Sequence, residues 1–429
     1  MLAATATAAA APAARAYDDG DLRRTLAREM RNASSASGAY VRDLDSGRRL
    51  YSRRSGRRRV PASVQKLYTT SAALLRLGPR ATLDTAAVTD GSVTGAGVLR
   101  GDLVLVGGGD PAFGPRTAAR LARAVRATGI KRISGAVVGD ESVFDERRSG
   151  LGRGYDFYLG GVLSGLAYNG SIFRGRPQFD AARFAAARFE ALLRRAGVRS
   201  SKTAHAGSAP ADARTIVTLA SPTVRTLIRR TNVPSNNFAA EMLLKTLGAR
   251  YGGGGTTARG AAVVERTLDA FAVRPRVADG SGLSRRNRTT PRDVVRLLDR
   301  MNRPDVRRAF RSSLAIAGRT GTVRRRMRGT PAHRRCRLKT GTLRSTSALA
   351  GYCRTRGGRN IAFALLMNHM SNISAAHTTQ DRIAAAIARL DGAPATRPDD
   401  EKPQADPEPQ PQPAPQPVPA APTGGAGAG

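Results

Sequence analysis

Apolar positions along the chain recur at helical spacing in some stretches and alternate singly in others, and the changes of period divide it into blocks. After Ala16 the spacing predicts a helix from Asp21 to Ser34. Two strands follow, Ala39-Tyr40-Val41-Arg42 and Arg49-Leu50-Tyr51, joined by a turn at Asp45-Ser46-Gly47. Pro61 precedes a long apolar stretch, Leu67 to Leu77, that Gly78-Pro79 stops; Ser63 and Lys66 fall in its first turn. From about Ala81 the elements shorten. Strands are predicted at Val98-Leu99, Leu103–Val106 and Ala136–Val138, with a helix at Thr117–Thr128. A Gly-rich stretch, Gly150–Gly170, leads to a helix at Ala181–Ala196. The Gly107-Gly108-Gly109 run lacks the spacing of a phosphate-cradling loop and reads as a tight turn.

Helical spacing returns at Phe238–Leu247, with Gly248 as its stop, and at Arg292–Met301, opened by Thr289-Thr290-Pro291. Three strands in a row, Cys336–Lys339, Ala348–Arg354 and Ile361–Met367, precede a helix at Thr379–Leu390. From Gly392 onward Pro, Ala, Gly and Gln dominate without period, a composition that cannot bury a core.

Composition changes this picture in three ways. Apolar residues make up 41% of 429 positions, with 5% aromatics and no Trp, so the core is expected to be aliphatic and Ala-rich. Net charge is +39, which draws a protein to polyanions such as nucleic acid, an anionic cell-wall polymer or a membrane surface. A G+C-rich coding bias toward Arg, Ala, Gly and Pro produces the same surplus. No basic-aromatic interleaving or zinc-finger spacing marks a nucleic-acid module. Four histidines without ligand spacing call for no metal.

No apolar run reaches the roughly 18–20 residues that cross a bilayer. Residues 1–16 are Ala-rich and end in Ala14-Arg15-Ala16, similar to a signal-peptide cleavage site, so export is expected. Cys336 and Cys353 flank a hairpin turn centred between Arg344 and Ser345, which sets them opposite each other as a cross-strand disulfide or as two buried thiols.

Only six of the 71 basic residues are Lys, and two of them, Lys66 and Lys339, fall on short strings of chemical interest. A desolvated Lys can act as a base where Arg cannot. Ser63-Val64-Gln65-Lys66 places a nucleophile and a base on one helix face, at a helix start whose free N–H groups suit an oxyanion. Ser235-Asn236-Asn237 opens a helix, where Ser and Asn are also ordinary capping residues. In a catalytic reading Ser235 relays a proton and Asn237 bonds the substrate backbone. Lys339-Thr340-Gly341 ends a strand; Lys339 and Thr340 suit a terminal carboxylate, and Gly341 lets a substrate backbone lie along the strand. The N–H of Thr342, with that of Ser63, completes an oxyanion hole. Each string alone is common. Their joint order is that of an acyl-forming serine enzyme.

Longer stretches extend the match: Val106–Pro111, Gly139–Phe144, Asn236–Glu241, Asp279–Arg285, Ala317–Thr322, Arg326-Met327 and Leu338–Gly351. Over residues 20 to 390 the chain resembles the class C low-molecular-mass penicillin-binding proteins, the D-alanyl-D-alanine carboxypeptidase/endopeptidase family. The resemblance implies an α+β fold: a transpeptidase-like five-stranded antiparallel sheet flanked by helices and split by an inserted α+β domain. Ser63 and Ser235 are 172 positions apart, in agreement with such a split. The expected plan is 1–16 signal-like, 17–80 with 215–391 catalytic, 81–214 inserted, and 392–429 a tail.

By position, Ser63 is implied as nucleophile, Lys66 as base, Ser235 and Asn237 as second element and Lys339 as carboxylate anchor. Asp140 matches an acid that contacts the amine of the peptidoglycan side chain in relatives, and Arg285 lines that pocket. Peptidoglycan stem peptides are the implied substrates, β-lactams the implied acylating inhibitors, and no cofactor is required. Two departures stand out: the further small domain that relatives carry inside the insertion is reduced, and an Asn-rich string is altered at Tyr168 and Gly170. Rival readings are a β-lactamase or esterase of the same fold, and a silent cationic protein binding wall polymers. The catalytic reading requires the Ser63 hydroxyl within bonding reach of both Lys66 and Lys339, 273 positions apart.

Overall fold

The computed structural model describes residues 16–149 and 156–393. The signal-like segment, apart from Ala16, and nearly all of the tail lie outside the described residues. A six-stranded antiparallel sheet forms the centre, in the order Ala315–Ile316, Cys336–Leu343, Thr346–Arg354, Asn360–Asn368, Gly38–Asp43, Arg49–Arg53. Five of these strands answer the expected sheet; the sixth, Ala315–Ile316, is a two-residue addition at its edge.

Strict alternation along the strands divides the two faces. Leu349, Phe363 and Leu365 face one way, against helices Asp19–Arg31 and Ile373–Arg389. Ala348, Ala350, Ala362 and Ala364 face the other, where six helices build an all-α layer. Helix Lys66–Leu77 runs through that layer with every residue from Lys66 to Leu74 buried. It is buried on all sides, and the polar groups it carries, Lys66, Thr69, Thr70 and Ser71, are buried with it.

Residues 85–219 contribute a separate five-stranded sheet, ordered His205–Ala206, Val137–Asp140, Leu103–Gly107, Thr85–Thr89, Arg214–Leu219. Its first three strands run parallel and the rest antiparallel. Helices Pro115–Ala127 and Ala181–Arg195 cover one face through Leu121, Val125, Phe189 and Leu193. Strand Arg214–Leu219 straddles the boundary expected at 214/215, since it pairs with Thr85–Thr89. Between Asn169 and Ala181 the chain makes only a short turn and the two-residue strands Ile172–Phe173 and Arg176–Pro177.

Several expectations change. Gly248 does not stop its helix, which runs Asn237–Tyr251. A Cβ at Gly248 would meet the Gly254 carbonyl oxygen at 2.7 Å and the Gly260 nitrogen at 2.8 Å, so the glycine lets helix Thr257–Asp269 pack closely. The Gly107–Gly109 run is a crowded seam rather than a turn: the backbones of Gly165 and Asp84 press on the first two positions. Cys336 and Cys353 are paired in register and form a disulfide. Among the described residues no helix is long and apolar enough to cross a membrane.

Candidate active site

Ser63 sits on a 3-10 turn, Ala62–Gln65, that feeds helix Lys66–Leu77. This turn presses on strand Cys336–Leu343 at Gly341, where a Cβ would meet the Pro61 carbonyl oxygen at 2.7 Å and the Ser63 nitrogen at 2.9 Å. Gly341 therefore makes room first for the protein's own serine turn.

The Ser235-Asn236-Asn237 string follows helix Val224–Asn232. Ser235 adopts φ 62°, and the Asn236 side chain caps the next helix by accepting the Ala239 N–H at 2.9 Å. Capping and chemistry thus divide within one string: Asn236 holds the helix, and its neighbours turn to the lysines.

Lys66 is fully buried. Its Nζ donates to Asn237 Oδ1 at 2.6 Å and to the Ser281 carbonyl oxygen at 2.6 Å, and lies 3.0 Å from Ser63 Oγ. Burial lowers its pKa from 10.5 to about 7, against the pull of Glu241 and Asp279. Lys339 is equally buried and donates to Ser235 Oγ at 2.8 Å and to the Thr340 carbonyl oxygen at 2.8 Å. Burial, and then the Lys66 charge, hold Lys339 well below its ordinary value.

The expected bond from Ser63 to both lysines is therefore corrected. Ser63 pairs with Lys66 and Ser235 with Lys339, and the two lysines couple through their charges. Asn237 joins the first pair, and its Nδ2 donates to the Tyr158 carbonyl oxygen at 2.6 Å.

Thr340 Oγ1 bonds Thr322 Oγ1 at 2.7 Å, bringing in a residue to which the sequence had given no role. Strand Ala315–Ile316 pairs only with Arg337 and Leu338, so Thr340–Thr342 form an open edge. Cys336 and Cys353 lie 4.1 Å apart at Cα, the close spacing of a pair without ladder bonds. Counting by twos along the strand, Thr342 opposite Ser347 falls in the same class, and its N–H points to that open edge.

Two expected positions differ. Asp140 is buried, with its oxygens accepting the Ser142 and Ala209 N–H groups, both at 2.8 Å. It ties the turn at Ser142 to the segment at Ala209, with both oxygens engaged. Arg285 is exposed and donates to the Arg344 carbonyl oxygen at 2.6 Å, tying its loop to the tip of the Cys336–Arg354 hairpin. Sequence reasoning assigned no role to Glu241, Asp279 or Ser281, which lie directly behind Lys66. An acid within the apolar run Phe238–Leu247 was the available signal for Glu241. Among the described residues no cluster suited to a metal ion is present.

The D-Ala-D-Ala carboxypeptidase 3 (S13) family model matches residues 21–156 and 169–390. The D-alanyl-D-alanine carboxypeptidase of Actinomadura sp. is 29% identical over 445 residues, covering 83% of this chain and 82% of that protein. Penicillin binding protein 4 (dacB) from Haemophilus influenzae superposes with a TM-score of 0.75 at 20% identity, covering 86% of this chain and 99% of that one. A penicillin G acylated predatory endopeptidase from Bdellovibrio bacteriovorus superposes at 0.55 and 19% identity, covering 84% and 93%. The fold of this chain is the penicillin-binding α+β type that the resemblance implies, and the chain belongs to the D-Ala-D-Ala carboxypeptidase 3 (S13) family.

Proposed function

We propose that the chain is a serine-type D-alanyl-D-alanine carboxypeptidase whose nucleophile is Ser63 and whose base is Lys66. One observation carries this reading: Lys66 Nζ has two carbonyl oxygens at 2.6 Å and the Ser63 hydroxyl at 3.0 Å. A neutral amine has two hydrogens and one lone pair. The Asn237 and Ser281 oxygens take the hydrogens, and the lone pair faces Ser63. A pKa near 7 keeps a large share of the amine neutral at physiological pH.

Ser63 Oγ attacks the carbonyl carbon of the penultimate D-Ala, and its proton passes to Lys66. The developing oxyanion lies between the N–H groups of Ser63 and Thr342. Lys339, Thr340 and Thr322 receive the terminal carboxylate at the open strand edge. As the C–N bond breaks, the leaving amine takes up the proton that Lys66 accepted from Ser63, which returns Lys66 to its neutral form. Water then hydrolyses the Ser63 ester. Penicillin presents a similar carbonyl and carboxylate and acylates the same oxygen, and crosslinked peptides are a second class of substrate.

In this reading residues 17–84 and 220–391 form the catalytic domain, and 85–219, which include strand Arg214–Leu219, the inserted one. The Cys336–Cys353 disulfide supports an exported protein in an oxidising compartment, where peptidoglycan lies. The +39 charge favours association with anionic wall polymers that weakens as salt rises.

The test incubates purified protein with a stem pentapeptide, with crosslinked muropeptides and with benzylpenicillin. The expected results are D-Ala release and a stoichiometric mass increase, both lost in Ser63→Ala. No adduct on the wild type overturns the proposal; rapid nitrocefin turnover without D-Ala release points to a β-lactamase instead.

A further inference from the structure

One of the two oxygens that aim Lys66 belongs to the backbone of Ser281, and a single acidic side chain holds that peptide. Glu241, fully buried on helix Asn237–Tyr251, accepts the Ser281 N–H at 2.8 Å and the Gly280 N–H at 3.0 Å. The Thr69 hydroxyl holds the Gly280 carbonyl oxygen at 2.9 Å from the Lys66–Leu77 helix. Asp279 braces the rest of the loop by accepting the Gly282 and Ser284 N–H groups and the Asn287 amide.

Burial and then the Asp279 charge raise the Glu241 pKa to about 7, and the Gly280 and Ser281 donors pull the other way, toward the carboxylate. No Lys or Arg lies within ion-pair distance of it among the described residues. A buried carboxylate without a contacting cation is costly, and an apolar helix has no structural need of one. Lys66 is faced by Lys339 from the strand, Glu241 from the helix and Asp279 from the loop. Glu241 itself faces Asp279 and Lys66.

The geometry points to Glu241 as a positioning residue for acylation: it fixes the Gly280–Ser281 peptide so that the Ser281 carbonyl takes one Lys66 hydrogen, and its charge opposes early loss of the Lys66 proton. The inference rests on Lys66 being the base. Two consequences separate it from a purely structural role. Losing the charge while keeping the size must move the titration of Lys66 to lower pH. Keeping the charge on a shorter side chain must spare the titration and slow the chemistry.

The experiment measures the second-order rate of Ser63 acylation by benzylpenicillin from pH 5 to 9, by intact mass, for wild type, Glu241→Gln and Glu241→Asp. Glu241→Gln is expected to shift the acid limb down by roughly half a unit or more. Its plateau is expected to fall by about 10-fold, the effect of a misaimed base. Glu241→Asp is expected to retain the wild-type limb with a reduced plateau. A Glu241→Gln limb that coincides with the wild type overturns the inference. Where Glu241→Gln melts below the assay temperature, Glu241→Asp decides: an unchanged plateau overturns it, and a lowered plateau on the wild-type limb supports it. Absence of any wild-type adduct contradicts the Ser63–Lys66 assignment itself, a different failure.

Discussion

Two lysines in this molecule are equally buried and do different things. Lys66 sits among oxygens that carry no formal charge, from Ser63, Asn237 and Ser281, with Glu241 and Asp279 a shell further out. Lys245, one helix away, has the Asp145 carboxylate at 2.5 Å, the carbonyls of Asp145 and Arg147, and the Phe144 ring at 5.1 Å. Burial lowers both pKa values, but at Lys245 the Asp145 charge works directly against it. Lys245 therefore stays a cation and fastens the 144–147 loop to helix Asn237–Tyr251. Burial makes a lysine expensive; the contacting partner decides whether it becomes a base or a rivet.

Lys66→Met separates the two roles with the largest effect. It is expected to slow acylation of Ser63 by about 10³-fold or more. It is also expected to leave the denaturant midpoint unchanged or higher, because a buried lysine without a contacting carboxylate is replaced by an apolar side chain of similar length. Lys245→Met is expected to do the reverse: stability falls by about 2–3 kcal/mol and acylation stays within about twofold. Equal losses of rate and stability in both variants erase the distinction.

Asp145→Asn should cost less, about 1–2 kcal/mol near neutral pH, because the side chain at 145 is partly exposed. That cost has a pH signature. Without its carboxylate, Lys245 loses affinity for its proton in the folded state, whereas the unfolded lysine keeps its ordinary pKa of about 10.4. The unfolded chain then binds more protons, so stability rises with pH and the deficit shrinks toward pH 10. A deficit constant from pH 6 to 10, read from denaturant melts, contradicts a cation held by Asp145.

The same contrast explains what the sequence could disclose. Ser63 and Lys66 are three residues apart on one turn, so their meeting is local and readable. The strings at 235–237 and 339–341 were readable as parts, but not their pairing, because Lys339 reaches Ser235 only after the two layers pack. Ser281 acts through its carbonyl oxygen, an atom every residue possesses. Glu241 lies in the matching stretch Asn236–Glu241, but its role is not readable there, since its partners are backbone N–H groups 39 and 40 positions away. Asp140 is the complementary case: an acid at a suggestive position has one oxygen on the Ser142 N–H two positions on and the other on the Ala209 N–H, 69 positions away.

In the fold, long apolar elements were legible to within a few residues, as at Lys66–Leu77 and Pro291–Arg300. Helices Val224–Asn232, Thr257–Asp269 and Pro304–Ser312 were not. The first and third are nine residues long and rich in Arg, and the second follows a run of four glycines. Their apolar stripes become visible only against the core they help to build.

The most direct test is the wild-type rate of Ser63 acylation by benzylpenicillin, followed by intact mass from pH 5 to 9. Protonated Lys66 cannot accept the serine proton, so the rate is expected to climb through a single limb centred at about 7 and then level off. A rate flat across the range, or one still climbing tenfold per unit at pH 9, contradicts a buried neutral lysine as the base.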